Sequence, residues 1–533
     1  MAATKEAATA RVQPALWLEQ YLPALIVVAG LAARLIGAYS KFLNADEAMH
    51  YLLAMQPSLR DAYRASLGTA HPPLLIIFLH CWEQISSSEF FLRLPSVIAG
   101  TAAGWFLYLW LREVRDRSTA MIALALFLFS PALIYTSAEV RQYALLLCFM
   151  SAALCLLDRA IADDSPMLLL GSGIALYLAV LTHYCALIFG AALAIYGFLR
   201  IVSARPRLWL RLLWLVLQAG FAGIAAFLWK THISTIRHRS LTQDVAQSYL
   251  RNSLFHPHQE NMLAFFAKAN LRLFHFLFSE GAVSVLGLVL FVLGIVLLFR
   301  RVRPAGLRRP SSRELAILLA LPFALNCAAA IAGVYPYGGT RHNVYLAIFA
   351  MPAVAVAVAE WKPKWKWAKL VAVFIALAVC NFTVTPAGAY IKPKNQKKEL
   401  MDEAVEYLRA AAPAGSLILT DYESGLLTSY YVCDKDITHA GEPVGFFYHS
   451  QCGDYESASL LPRLWVFRAD GFPAQLSELA KSISRNQQVW IFQAGFIVDR
   501  EPQFQALLAK YGCNAPRKFG ANILVCRIEP PKS

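Results

Sequence analysis

Charge is scarce in this chain. Asp, Glu, Lys and Arg together make up 16% of its 533 residues, against roughly 25% in soluble globular domains. That shortage excludes an ordinary water-soluble enzyme and points to lipid as the solvent for most of the chain. Nucleotide-binding signatures are also missing: there is neither a P-loop nor a glycine-rich dinucleotide fingerprint, so no motif supports nucleotide chemistry. Internal repeats and low-complexity tracts are absent. The balance is basic, with a net charge of +15 and a pI near 9.3. No soluble basic domain carries that charge, which excludes a nucleic-acid-binding module.

Apolar residues are abundant, at 58% of the chain with a mean hydropathy of +0.48. They fall in continuous blocks of about 17–22 residues, the length that crosses a hydrocarbon core as helix. The blocks predict about eleven spans, over 20–39, 96–112, 119–136, 142–158, 166–181, 184–200, 208–229, 281–299, 314–334, 343–360 and 370–388. The first, preceded by Lys5 and Arg11 and containing Arg34, reads as a retained span because it lacks a clear small-residue cleavage site. With a cytoplasmic N-terminus, the loops 112–118, 159–165, 200–207, 300–313 and 361–369 face inward and collect Lys and Arg, which is the positive-inside pattern. The apolar stretch 72–85 then must not cross, since one extra crossing would turn every later arginine cluster outward. It is short and carries His80 and Glu83, so it reads as a juxtamembrane or re-entrant helix on the outer side.

Three outer segments are large enough to build a site: 40–95, 230–280 with apolar patches at 263–266 and 271–278, and the tail 389–533. In the tail, helical patterns (397–411, 475–483, 503–511) alternate with strand-like runs (416–420, 463–467, 489–493, 522–526), which predicts a small extracytoplasmic α/β domain. The division is therefore a membrane domain over 1–390 and an α/β domain over 391–533, joined by a polar linker at Ile391-Lys-Pro-Lys-Asn395. Four of the ten cysteines lie in the tail. Cys433 with Cys452 and Cys513 with Cys526 are sequence neighbours, although four cysteines allow three connectivities. Asn381-Phe-Thr383 fits a glycosylation acceptor but falls inside the last span, so it is set aside.

Polar residues with chemical capacity gather at five outer boundaries. Asp46-Glu47 follows the first span. Adjacent helical residues point about 100° apart, so one carboxylate can face a substrate while the other caps or pairs. Equally, Asn44 or Asp46 can be a plain helix N-cap. His71 precedes Pro72-Pro73 and can bind a phosphate, a metal or a carboxylate, or simply sit at a helix start. Glu139, Arg141, Gln142 and Tyr143 lie between two spans, where snorkelling is the bland alternative. Thr182-His183-Tyr184 and Arg341-His342, behind Gly338-Gly339, fall at the same depth. Convergence at one layer is the stronger signal. A lipid phosphate sits at headgroup level, and arginine binds it in bidentate fashion; Arg341 is the residue assigned to that role.

These segments resemble the GT-C membrane glycosyltransferases, in particular the group of protein O-mannosyltransferases, lipid A aminoarabinose transferases and lipopolysaccharide galacturonosyltransferases. The resemblance is carried by Asp46-Glu47, His71-Pro-Pro-Leu74, Phe91-Leu-Arg-Leu-Pro95, Glu139-Val-Arg-Gln-Tyr143, Thr182-His-Tyr184 and Arg341, across 20–360. It implies an all-α polytopic bundle with juxtamembrane helices and a cavity toward the outer leaflet. The implied donor is a sugar on polyprenyl phosphate, transferred with inversion to a lipid, glycan or protein acceptor. Asp46, Glu47 and Glu139 would be the catalytic acids; Arg341, Arg141 and His342 would bind the donor phosphate; His71, His183, Tyr143 and Tyr184 would bind substrate or a metal. Metal use is left open, with Mg2+ or Mn2+ as the divalent candidates. The implied location is a bacterial inner membrane with the site outside.

A lipid or solute transporter is the alternative from another class. Transporters carry repeats, broken helices and charges at the bilayer midplane, whereas here the ionisable residues collect at one face. A scaffold with an outer interaction domain would not need acids and histidines converging at one depth.

Overall fold

A computed structural model describes residues 2–237, 250–300, 304–306, 309–365, 367–382, 397–433, 447–460, 471–481, 483–484, 487–494, 502–520 and 523–530. Its contacts divide the chain into two units: Met1–Ala38 with Ser58–Lys392, and Tyr39–Pro57 with Pro393–Ser533.

The first unit is helical. In order it contains α1 (Ala2–Tyr39) and then, after α2 (Ala45–Ala54) of the second unit, α3 (Leu59–Ser66), α4 (Leu74–Trp82), α5 (Glu89–Val114), α6 (Arg117–Phe129), α7 (Pro131–Ser137), α8 (Tyr143–Ala162), α9 (Pro166–Thr182), α10 (Ala186–Ala204) and α11 (Leu208–Leu228). A π-helical turn, Trp229–Ile233, leads into α12 (Ser234–Arg237); α13 (Met262–Phe278), α14 (Gly281–Arg300), α15 (Ser312–Ile331), α16 (Ala347–Glu360) and α17 (Ala368–Phe382) follow. Among the described residues, eight helices are long and apolar enough to cross a membrane, and α6 with α7 forms a bent pair that qualifies as a ninth. Two of the expected spans appear as shorter apolar helices, α9 and α17. The stretch 119–136, read from hydropathy as one span, is broken by a bend of 59° at Ser130-Pro131. Nine-residue α4 covers only about 14 Å at 1.5 Å per residue, too short to cross.

Polar side chains close the helix ends in this unit. Asp116 accepts from the Thr119 N–H at 2.8 Å and starts α6, and Ser311 with Glu314 forms a capping box that starts α15. At the ends of α8 and α10, Arg200 pairs with buried Asp158 at 3.0 Å. Tyr196 and Trp110 donate to the same carboxylate at 2.8 Å each. A buried pair of this kind persists only with its remaining lone pairs satisfied, and here they are.

The second unit joins α2 to the tail. Its elements are α2, α18 (Lys398–Ala411), β1 (Leu417–Thr420), α19 (Tyr422–Tyr431), β2 (Phe447–Cys452), β3 (Tyr455–Leu460), α20 (Phe472–Ala480), β4 (Val489–Gln493), α21 (Pro502–Lys510), β5 (Arg517–Phe519) and β6 (Ile523–Ile528). One six-stranded sheet has the order β2-β3-β1-β4-β6-β5. Strand β1 lies parallel to β3 and to β4, and the other pairings are antiparallel. The strand expected at 463–467 and the linker at 391–395 lie outside the described residues. Segment 39–57, read from sequence as part of the first outer loop of the membrane domain, folds with the tail instead. Phe42 and Ala48 enter the tail's apolar core beside Met401, Leu408 and Trp490. The Leu43 N–H donates to the Tyr431 hydroxyl at 2.6 Å, and the Tyr51 ring meets Tyr430 edge-on at 5.2 Å. Both neighbouring cysteine pairs are disulfides, Cys433–Cys452 and Cys513–Cys526.

Asp421 starts α19 by accepting from the Ser424 N–H at 2.8 Å. It is fully buried, and burial pushes its carboxyl up to about 7. The folded tail therefore holds a proton that the unfolded chain releases near pH 4. Its stability is highest at acidic pH and falls as pH rises through 7. Asp421→Asn keeps a cap acceptor and cannot ionise. It should flatten the pH dependence of tail unfolding between about pH 4 and 7 and stabilise the tail at pH 8 by roughly 2–4 kcal/mol. Unfolding profiles of wild type and variant that remain parallel across that range would contradict this.

Candidate active site

Within the first unit, four chain segments bring their polar residues to one cluster. The first is the turn before α4, which carries His71. Next is the segment 138–142 between α7 and α8. The third is the two-helix junction at His183. The last is the 3-10 turn Arg341–Leu346 that opens α16. The ring of His183 lies 5.2 Å from His71, 5.5 Å from Tyr143 and 6.0 Å from His342. The guanidinium carbons of Arg141 and Arg341 sit 5.7 and 5.9 Å from the Tyr143 ring centroid. Six of the sequence-derived candidates thus share one constellation: His71, Arg141, Tyr143, His183, Arg341 and His342.

The protonation of the centre follows from its surroundings. His183 is 2% exposed. Burial, reinforced by the charges of Arg141 and Arg341, pushes its imidazole down to about 3, so the ring is neutral at physiological pH. The Cys185 N–H donates to Nδ1 at 3.2 Å, which places the proton of the neutral ring on Nε2. Among the described residues that Nε2–H has no hydrogen-bond partner, nor do the Tyr143 hydroxyl and the Gln142 amide, all of them buried. Buried donors are normally satisfied. Three unspent donor groups and two guanidiniums at one place fit an anion carrying several acceptor oxygens.

Each segment is held by its own bonds. Ser96 of α5 donates to the Arg141 carbonyl at 3.2 Å, and the Arg141 N–H turns back to the Glu139 carbonyl at 2.8 Å. Asn326 organises the 336–345 segment. Its Nδ2 donates to Pro336 O at 3.0 Å and to Asn343 Oδ1 at 2.9 Å, while the Tyr345 hydroxyl donates to its Oδ1 at 2.6 Å. The Gly338-Gly339 pair that precedes Arg341 is demanded by geometry. Gly338 has φ +141, and a Cβ at Gly339 would stand 2.3 Å from the Arg272 carbonyl oxygen. Glycine here lets two backbones touch and fixes the approach to Arg341.

The remaining candidates have the following surroundings. Tyr184 hydrogen-bonds Nδ1 of His232, whose Nε2 reaches Leu67 O at 3.1 Å. This relay ties the π-helical turn to the segment leading to His71. Glu139 is buried in the 138–142 segment. Asp46 and Glu47 belong to the second unit. There Asn44 is the N-cap of α2, accepting from the Glu47 N–H at 3.0 Å, and its own N–H donates to Glu47 Oε2 at 2.9 Å. Glu47 is therefore engaged in a capping box, and Asp46, half-buried at the second helical position, is not the cap. His232, Asn326 and Tyr335 are not singled out by the sequence. The Tyr335 hydroxyl donates to His342 O at 3.0 Å.

Arg141 and Arg341 lie beside Tyr143 and the histidines, and their positive charge opposes a further cation among these rings. Among the described residues no group of three His, Cys, Asp or Glu is placed to hold an ion.

Comparison with known proteins bears on this arrangement. Residues 70–229 match the family model described as dolichyl-phosphate-mannose-protein mannosyltransferase. The whole chain resembles the crystal structure of ArnT from Cupriavidus metallidurans bound to undecaprenyl phosphate, with a TM-score of 0.51 and 12% identity over 95% of this chain and 97% of that one. AglB, the oligosaccharyltransferase of Archaeoglobus fulgidus, in complex with an inhibitory peptide and a dolichol-phosphate, is similar at a TM-score of 0.43 and 13% identity, over 78% of this chain and 64% of that one. No curated protein sequence matches the chain. This multi-pass membrane protein thus has the fold of the GT-C superfamily of glycosyltransferases, and its residues 70–229 match the mannosyltransferase family model.

Proposed function

We propose that the chain is an inverting glycosyltransferase that moves a sugar from a polyprenyl-phosphate carrier to a lipid, glycan or protein acceptor at the outer face of the membrane. One observation carries the reading: Arg141 and Arg341 lie by the Tyr143 ring, next to buried donors on Gln142, Tyr143 and His183 that have no hydrogen-bond partner among the described residues. A phosphate at headgroup level satisfies all of them. ArnT, which shares the fold, was crystallised with undecaprenyl phosphate. The two disulfides of the tail support its placement in an oxidising, extracytoplasmic compartment.

In this reading the acceptor hydroxyl loses its proton to the Asp46 carboxylate, and its oxygen attacks the anomeric carbon on the face opposite the phosphate. The bond from that carbon to the phosphate oxygen breaks as the new glycosidic bond forms, and polyprenyl phosphate departs with the electron pair. The leaving group is already anionic, so it needs cations rather than a general acid, and Arg341 and Arg141 supply them. Glu139, buried beside Arg141 in sequence, stabilises positive charge developing on the sugar. Glu47 serves by holding the start of α2.

The test is mass spectrometry of lipid that co-purifies with the Asp46→Asn protein. A polyprenyl phosphate bearing one sugar, bound near stoichiometrically, is the expected result and names the donor. Ordinary phospholipid alone, with added polyprenyl-phosphate sugar failing to bind, would remove the proposal.

A further inference from the structure

Two polar residues lie inside apolar helices and take no part in the chemistry above. Arg34, in the first span, is 0% exposed, and among the described residues no carboxylate lies within ion-pair distance of it. Asn381 sits one residue from the end of α17. A buried guanidinium and a half-buried amide are costly in a membrane helix and call for a purpose.

Both bind the same break in the same span. Pro131 has no N–H and cannot continue the ladder of α6, so the chain bends by 59° there. The bend carries the Leu128 and Phe129 carbonyls away from their helical donors, in a medium without water to replace them. Arg34 Nη1 donates to Leu128 O at 2.8 Å, and Asn381 Nδ2 donates to Phe129 O at 2.9 Å. Between those two carbonyls and the proline, the Ser130 hydroxyl donates to Leu277 O of α13 at 2.7 Å. Helices α1, α13 and α17 thus each hold one residue of the break. Room for the guanidinium comes from α5: a Cβ on Gly100 would fall 2.1 Å from Ser137 Oγ and 3.3 Å from Arg34 Nε.

The break decides where the next residues go. Helix α7 is seven residues long and delivers the chain directly into 138–142, whose far end is tied to α5 by the bond from Ser96 to the Arg141 carbonyl. We infer that Arg34 and Asn381 are positioning residues: from two other helices they supply the donors that the bend at Pro131 takes away from the Leu128 and Phe129 carbonyls, and so fix the tilt of α7 that presents Glu139 and Arg141. The consequence for transfer rests on the glycosyltransferase reading; the consequence for the backbone does not.

The experiment uses full-length protein in lipid nanodiscs and compares wild type, Arg34→Met, Arg34→Lys and Asn381→Leu. Hydrogen exchange over 131–142 should accelerate at least about tenfold in Arg34→Met and Asn381→Leu, while exchange in the middle of α8 stays as in wild type. Turnover should drop by about ten- to a hundredfold, the scale of a misplacement of about 1 Å. KM for the donor should move less than about threefold, because the 336–345 segment that carries Arg341 is held independently. Arg34→Lys keeps a donor for Leu128 O and should stay within about threefold of wild type. Unchanged exchange at 131–142 in Arg34→Met would overturn the inference. So would exchange that rises equally in every span, which marks general loss of packing. If the wild type transfers no sugar, the enzyme reading fails, and the exchange measurement still decides whether the clamp exists.

Discussion

Asp46→Asn should lower sugar transfer by about 10²–10⁴-fold, the range for loss of a general base, and leave the stability of the protein within about 1 kcal/mol of wild type. The second half of this expectation comes from the start of α2. A carboxylate after a span and before a helix is ambiguous in sequence, since the same residue types cap helices and take protons. Here the cap is Asn44, and the residue that closes the box is Glu47. Asp46 places a charge in the first turn, where it favours the helix dipole, and an amide of the same shape keeps its packing. Glu47→Ala gives the complementary result. It breaks the bond to the Asn44 N–H in a buried setting, and should destabilise the unit by roughly 1–2 kcal/mol. Thermal unfolding and initial-rate assays on the two variants separate the roles. If Asp46→Asn transfers normally, or if Glu47→Ala abolishes turnover at unchanged stability, the base has been assigned to the wrong carboxylate.

That pair shows what the sequence could and could not disclose. The pattern Asn44-Ala-Asp46-Glu47 contains the cap and its third-position partner, so a helix start is legible in the sequence, but whether Asn44 or Asp46 is the cap is not. The association of 39–57 with the tail was not legible, because it rests on Phe42 and Ala48 meeting Met401 and Leu408 across more than three hundred residues. Hydropathy located the helical segments well, since composition alone determines which stretches dissolve in lipid. It passed over the break at Pro131 for the same reason: losing a backbone hydrogen bond does not alter the apolar count. Arg34 and Asn381 stood out as oddities in their spans, but their partners at Leu128 and Phe129 lie on another helix, where no local pattern points. The cluster at His71, His183 and Arg341 was legible as a common depth. Its protonation was not, because the tautomer of His183 is set by the Cys185 N–H and its neutrality by two arginines from other segments.

Arg341→Met should weaken binding of polyprenyl phosphate by about a hundredfold or more, since a charge-assisted contact to a phosphate in a low-dielectric site is worth about 3 kcal/mol. Of the two arginines it is the better probe. Arg141 is 1% exposed and packed inside the 138–142 segment, so truncating it leaves a buried void and confounds affinity with folding. Arg341 is only half-buried, and its backbone is held by Asn326 and the Gly339 contact rather than by its own side chain. Methionine keeps an apolar stem of similar length and removes the guanidinium that lies 5.9 Å from the Tyr143 ring centroid. Arg341→Lys should recover part of the affinity and not all, because an ammonium supplies charge without the planar pair of donors that matches a phosphate. His183 remains neutral across the working range, so the loss should be nearly the same from pH 6 to pH 8. A loss that instead vanished at high pH would place a titrating imidazole, not the guanidinium, against the anion. Competition by unlabelled polyprenyl phosphate against a labelled donor measures all of this directly. An Arg341→Met protein that competes like wild type would show that the phosphate lies elsewhere, and the assignment of this cluster would go with it.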